Sequence, residues 1–416
     1  MKKIVSILSI IFFLFLFTSS AAASSTEKEI SLSDLEDKSI TLGNLKPLKL
    51  QGQSYDDRAF KTMIRGYAVA SYKYNDNGVD EGSVNEALFG QDPAQTKDFS
   101  FGKAEIGFTK RYSNYAWVNA AVEISQKHES GVTVTDTELD VGQINLVAPI
   151  GNGLRFSLGR FNSPVSFEQE DDPLKFQSST SLAFQFASPV KMVGLQVFYP
   201  IAINLDVQAI VFNGWNQDGD NNDAKSFALQ VGYAPKTWFN TKFSYLYGAE
   251  QDDNDGDARQ VFDAVVTLTP FKDFILGLEA AYGRDQNLST TNPGEDAEWL
   301  SGQATLHYDW FKNFGTTVRY SFFDDKDGRP DIANSQPRTM NEITFAPVFH
   351  LSPDFLGYLG WGTISQTQHL LSALDLRFEY RYDWINESNA NSFFQNNTGG
   401  GESKRNMFVA ELVALF

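Results

Sequence analysis

The stretch Leu374-Asp375-Leu376-Arg377-Phe378-Glu379-Tyr380-Arg381-Tyr382-Asp383-Trp384 alternates without a break: every second residue is apolar or aromatic and every residue between is charged. Side chains on a strand point to opposite faces with period 2. One face therefore reads Leu, Leu, Phe, Tyr, Tyr, Trp, and the other Asp, Arg, Glu, Arg, Asp. A transmembrane barrel strand has this character, with lipid on one side and a wet lumen on the other. A half-buried strand of a soluble antiparallel sheet fits the stretch equally well. The remainder of the chain separates the two readings.

From Arg58 onward, alternating segments of this kind recur at 58–74, 99–109, 115–127, 138–148, 154–161, 190–199, 203–214, 225–235, 239–250, 259–269, 274–284, 298–309, 314–323, 338–349, 370–384 and 405–416. A tilted strand of about ten residues crosses the apolar band of a membrane. The connections alternate as well. Short ones run over 110–114, 149–153, 200–202, 236–238, 270–273 and 310–313, while long acidic, Asn- and Gly-rich ones include 218–223, 251–257 and 324–331. Outer-membrane barrels have short periplasmic turns and long external loops, whereas a soluble sandwich has no reason to keep such alternation. The expectation is an all-β, antiparallel transmembrane barrel of 16 strands over 58–416. The connection at 350–369 breaks the rhythm and allows 18.

The short turns repeat weakly as Pro235-Lys236-Thr237-Trp238-Phe239, Pro270-Phe271-Lys272-Asp273-Phe274, Trp310-Phe311-Lys312-Asn313-Phe314 and Pro353-Asp354-Phe355. Aromatic residues at one edge read as an interfacial girdle; ordinary packing beneath turns is the plainer alternative. Phe408, Ala410, Leu412, Ala414 and the terminal Phe416 share one face, and a last strand ending in Phe resembles the assembly signal of bacterial outer-membrane proteins.

The N-terminus agrees. Lys2 and Lys3 precede an apolar run from Ile4 to Phe17 and the small residues Thr18-Ser19-Ser20-Ala21-Ala22-Ala23. This is a signal-peptide pattern over 1–23, too short for a retained spanning helix. Residues 24–57 read as a periplasmic lead-in or a tail. The chain has no Cys and a formal charge of −18. A disulfide framework, a thiolate metal site and a Cys nucleophile are thereby excluded, and the acidic balance argues against nucleic acid as a partner.

Parity then assigns the faces. Ile64, Ala68, Tyr72, Ala104, Ile106, Phe108, Phe243, Tyr245, Tyr247, Leu276, Leu278, Ala280, Leu306, Tyr308, Val318, Tyr320 and Phe322 face lipid. Opposite them, Lys61, Arg65, Lys103, Glu105, Glu123, Lys242, Asp263, Glu279, His307, Asp309, Arg319, Glu342, Asp375, Arg377, Glu379, Arg381, Asp383 and Glu411 line the pore, with Trp117, Trp299 and Phe323 as inward aromatics. So polar a lumen is expected to hold water. Residues 162–189 form a long connection poorer in Asn and Gly than the others. Its charged residues Glu168, Glu170, Asp171, Asp172 and Lys175 resemble the constriction loop of general porins. Folded inward, they would face Arg65, Arg319, Arg377 and Arg381 and create a transverse field. A loop that stays outside is the equal alternative.

Catalytic chemistry finds no support. None of the four His (His128, His307, His350, His369) sits in a motif with an activating Ser or acid. A calcium loop centred on Gly256 or Gly328 lacks Asp at its first position and Glu at its twelfth. No metal and no cofactor are assigned. The acidic loops either attract divalent cations at the lipopolysaccharide surface or form a solvated coat.

Several stretches resemble the OmpL-like putative β-barrel porin-2 family: Leu158-Gly159-Arg160-Phe161-Asn162-Ser163-Pro164-Val165 with Glu168; Met192-Val193-Gly194-Leu195 through Tyr199-Pro200; Asn213-Gly214-Trp215-Asn216 through Asp220-Asn221-Asn222-Asp223-Ala224-Lys225-Ser226; Tyr247-Gly248-Ala249-Glu250; and Phe378 to Asp383. The resemblance implies a Gram-negative outer-membrane barrel acting as a porin, with no defined substrate. The expected function is a water-filled channel for passive diffusion of small hydrophilic solutes or ions, weakly cation-preferring. A substrate-specific channel and a structural or adhesive barrel are the rivals. Expected partners are outer-membrane lipid, lipopolysaccharide and small solutes, with homotrimer and monomer both open.

Overall fold

A computed structural model describes residues 62–76, 97–129, 132–330, 336–351, 373–386, 394–395 and 401–416. The expected signal peptide at 1–23, the segment 24–57, Lys61, His369 and nearly all of the connection at 350–369 lie outside the described residues.

Sixteen strands close into one antiparallel barrel. They are β1 (Thr62–Asn75), β2 (Lys97–Ser113), β3 (Ala116–Glu129), β4 (Val132–Ala148), β5 (Leu154–Asn162), β6 (Lys191–Ala202), β7 (Leu205–Phe212), β8 (Ser226–Lys236), β9 (Phe239–Gln251), β10 (Asn254–Leu268), β11 (Phe274–Asp285), β12 (Ala297–Phe311), β13 (Phe314–Asp325), β14 (Arg338–His350), β15 (Ala373–Ile385) and β18 (Lys404–Leu415). Two short strands, β16 (Phe394–Gln395) and β17 (Gly401–Glu402), pair with each other and stay out of the barrel. Every segment expected from alternation is a strand, and the count is 16. No helix among the described residues is long and apolar enough to cross a membrane.

Closure removes the exposed edges that an open sheet would present. β1 pairs with β2 on one side and β18 on the other. The seam ends where Gly66 and Phe416 exchange two backbone hydrogen bonds of 2.9 Å. The two faces separate as alternation requires. On β13, Val318 and Tyr320 are 43% and 40% exposed, while Thr317, Arg319, Ser321 and Phe323 between and beside them are fully buried.

At the short-turn end the aromatics of successive turns touch. Phe271 lies 4.7 Å from Phe274 and 6.0 Å from Tyr308, and Tyr308 lies 4.8 Å from Trp310. Trp310 and Phe311 are largely exposed on the outside. Two successive repeats thus bring their aromatics together at one edge, as an interfacial girdle requires.

Two local features depart from the sequence expectation. The acidic segment 251–257 is not an open loop, because β9 and β10 continue into it and turn at Asp252–Asp253. Asn254 Oδ1 accepts the Gly256 and Asp257 N–H groups, and Asn222 Nδ2 donates to the Ala249 and Gln251 carbonyls. Asn side chains thus satisfy backbone that the sequence alone would leave to water. The second is in β4. Ala121 pairs with Val141 but Val122 pairs with Leu139, so Asp140 is the extra residue of a bulge. Bulges re-aim side chains, and here Asp140 turns inward and is buried.

Candidate functional site

Residues 163–190, between β5 and β6, do not stay outside. They cross the lumen and attach to the opposite wall. Ser178 and Ser179 donate their N–H groups to Glu379 Oε2 at 2.8 and 3.0 Å. Arg319 pairs with Glu168 at 3.1 Å and donates to the Ser179 carbonyl at 2.7 Å. Arg381 donates to the Thr180 carbonyl at 2.6 Å, and Arg377 to the Asp172 carbonyl at 2.9 Å. Nearer the loop's start, Glu279 accepts from Ser166 Oγ and the Phe167 N–H, and Lys242 Nζ donates to the Pro164 and Ser166 carbonyls.

The loop's backbone is thereby paid for by charged wall side chains, which is what a buried irregular segment requires. A 3-10 turn at Asp172–Leu174 and a six-residue helix, α1 (Leu182–Ala187), are its only regular pieces among the described residues. Ser181 caps α1 by accepting the Phe184 N–H, while its own N–H goes to Glu168 Oε2. Buried Leu182, Ala183, Phe184 and Ala187 seat α1 against β11 to β14.

The wall behind the loop carries a charge ladder. Arg319 on β13 pairs with Glu342 on β14. Glu342 meets Arg381 on β15 at 2.6 Å, and Asp383 joins Arg381 to Arg405 on β18 at 2.8 and 2.6 Å. Alternating signs and multiple hydrogen bonds make such burial tolerable.

Above the ladder, toward the long loops, the inward side chains turn apolar. Phe161, Met192, Phe212, Trp299, Phe323 and Met407 belong to one cluster with Leu182 and Ala187 of the loop. Below it, toward the short turns, a cavity of about 700 Å³ opens between Lys175, Phe176, His307, His350, Asp375 and Arg377. Asp309 Oδ1 lies 3.1 Å from His307 Nε2 and 3.2 Å from His350 Nε2, where it accepts from whichever ring nitrogen carries a proton.

The expected pore-lining residues fall on the inner face with graded exposure. Glu105, Glu123, Asp263, Glu279, Arg319, Glu342, Arg377, Glu379, Arg381, Asp383 and Glu411 are buried. Lys103, Lys242, Asp309 and Asp375 are half-buried, and Arg65 is exposed. The loop acids meet basic partners, though not all those expected. Glu168 finds Arg319, Glu170 finds Lys191 at 2.6 Å, and Asp172 finds Lys103 at 3.2 Å and Lys175 at 3.0 Å. Burial alone would raise the Asp172 carboxyl, but Lys103, Lys175 and Arg377 outweigh it and hold it below the ordinary carboxylate range.

Parity missed three contributors. Alternation points Trp299 and Phe323 inward, but not the wider layer they form with Phe161, Met192, Phe212 and Met407, because most aromatics fall on the lipid parity. Asp140 was hidden by its bulge. The serines of the loop carry no pattern of their own. Two of the stretches that carry the family resemblance, 213–226 and 247–250, meet in space. Glu250 accepts the Trp215 N–H and Ser226 Oγ, both at 2.6 Å, and Asn216 Oδ1 accepts the Val190 and Lys191 N–H groups where the inner loop rejoins the wall.

A family model described as "Putative beta-barrel porin-2, OmpL-like" matches residues 61–416. No curated protein matches the chain. Solved structures share the fold at low identity. The anion-selective porin from Comamonas acidovorans is 9% identical with a TM-score of 0.56, covering 86% of this chain and 99% of that one. The outer membrane channel DcaP of Acinetobacter baumannii is 10% identical with a TM-score of 0.55, covering 87% and 99%. OmpT of Vibrio cholerae in its trimer form is 11% identical with a TM-score of 0.54, covering 86% and 100%.

Proposed function

The chain belongs to the OmpL-like β-barrel porin-2 family, and on that premise we propose that it is an outer-membrane channel for passive diffusion of small hydrophilic solutes or ions, with a weak preference for cations. The observation that carries this reading is the inner loop, stitched across the lumen with its acids set against wall arginines and lysines. Opposed charges across a narrow passage sort solutes by charge while binding them too weakly to hold them. Export through a signal peptide at 1–23 completes the reading. The mechanism needs no catalytic residue.

Assembly as a homotrimer fits the same reading. A C3 arrangement would cover part of the apolar outer band of each barrel. Chemical cross-linking of the purified protein in mild detergent distinguishes a trimer from a monomer.

A second reading, a barrel with no open pore, is favoured by the burial of the inner layer: Trp299, Phe323, Arg319 and Arg381 are fully buried. Single-channel recording in a planar bilayer under a KCl gradient separates the two. Stepwise openings with a cation-selective reversal potential, reduced when Glu168, Glu170, Asp171 and Asp172 become Gln or Asn, support the channel. An inserted barrel that passes no current overturns it.

A further inference from the structure

Glu105 on β2, Asp140 at the β4 bulge and Asp171 of the inner loop each bring a carboxylate oxygen to within 4.8 Å of the others. Two of these side chains are almost wholly enclosed, Glu105 at 5% and Asp140 at 1% exposure. Each also keeps one oxygen, Glu105 Oε2 and Asp140 Oδ2, with no hydrogen-bond partner. A buried carboxylate oxygen left bare is costly, and three carboxylates together more so.

Lys103 and Lys175 are committed outside the triad, and Lys191 is shared between the triad's Asp140 and Glu170. Lys191 pairs with Asp140 through Oδ1 and with Glu170 at 2.6 Å. Lys103 pairs with Glu123 and Asp172, both at 3.2 Å, and Lys175 with Asp172. Arg377 donates to the Asp172 carbonyl, Arg160 Nε to the Asp140 carbonyl and Asn162 Nδ2 to Asp171 Oδ1 at 3.2 Å, yet none of these donors reaches the bare Glu105 Oε2 and Asp140 Oδ2.

We propose that Glu105, Asp140 and Asp171 bind a divalent cation, Ca²⁺ in preference to Mg²⁺, which fastens the inner loop to the β2–β4 wall. All donors are carboxylate oxygens, with no nitrogen or sulfur, and such sets select hard cations. Ca²⁺ accepts flexible cages built from protein oxygens, whereas Mg²⁺ keeps several waters and is seldom held by protein donors alone, and two of the three carboxylates here are almost wholly enclosed. The loop is anchored to the far wall by Arg319, Glu379 and Arg381. The cation would anchor it to the near wall, from three segments that no linear calcium-loop motif connects. The inference depends on the loop's position and not on solute passage, so its failure leaves the channel reading intact.

The test is calorimetric titration of CaCl₂ into the EDTA-stripped full-length mature protein in detergent. The expected result is one saturable site per chain, displaced weakly by MgCl₂, with Asp171→Asn and Glu105→Gln each lowering Ca²⁺ affinity by about tenfold or more. Asp252→Asn, at the tip of the β9–β10 hairpin, is expected to leave the site unchanged. Should the strand variant Glu105→Gln fail to fold, wild type and Asp171→Asn suffice. Ca²⁺ is expected to raise the thermal midpoint of wild type reversibly with EDTA and to leave that of Asp171→Asn nearly unmoved. Absence of saturable binding up to about 1 mM Ca²⁺, or binding that survives both substitutions unchanged, overturns the proposal.

Discussion

Arg319 is a cation with no exposure to water. Its position is tenable because its donors are used: Glu342 and Glu168 balance the charge, and Ser179 accepts through its carbonyl and hydroxyl. Removing one partner from such a set leaves the others charged and buried. Arg319→Met is therefore expected to cost about 3–5 kcal/mol in urea unfolding, and the Arg319→Met/Glu342→Leu pair less than the sum of its singles. Gly248 makes a different point. A Cβ there would collide with the Ser226 side chain, whose hydroxyl holds Glu250. Gly248→Ala is expected to destabilise by about 1–3 kcal/mol through overpacking. Gly219→Ala, with no atom near its Cβ, is expected to stay within about 0.5 kcal/mol. Thermal midpoints of the two variants, compared side by side, check both values.

The inner loop is an element that the wall shapes. A helix of six residues does not persist alone in water, and α1 exists because its Leu and Phe side chains enter the apolar inner layer and its N-terminus is capped. Most of the loop's backbone partners are side chains of β9, β11, β13 and β15 rather than its own residues. Replacing 167–186 by a short Gly/Ser linker is accordingly expected to leave the barrel folded, since strand pairing does not pass through the loop. Single-channel conductance is expected to rise several-fold. An unchanged conductance would show that the narrowest point lies elsewhere.

At the scale of the whole molecule, the barrel is a sheet whose two faces meet different solvents. Leu229, near the middle of β8, is 50% exposed on the outer face. Leu229→Arg is expected to cost about 2–4 kcal/mol at the bilayer midplane, measured by reversible folding into lipid vesicles. The closing seam depends on β1 and β18, with the Phe416 ring lying over Gly66. Phe416→Ala is expected to slow barrel formation more than it lowers final stability, which time-resolved folding into the same vesicles would resolve.

Strand number, strand position and the lipid-facing residues were legible in the sequence because alternation is local. Each residue's face follows from its neighbours two positions away, and lipid penalises errors on the outer side. The same rule marked Arg319, Glu342, Arg377, Glu379 and Arg381 as inward, and the long, Asn-poor connection at 162–189 as unusual. Tertiary structure alone decided what the interior does with them. Ser179 reaches Glu379 across 200 residues of chain, and no periodicity encodes a contact that remote. A single bulge reversed parity and turned Asp140 toward Glu105. Inward Met192, Phe212, Trp299 and Met407 became a packed layer only when closure brought their strands around a common axis. The outer surface is set residue by residue by one solvent, whereas the lumen is filled by side chains from every strand at once.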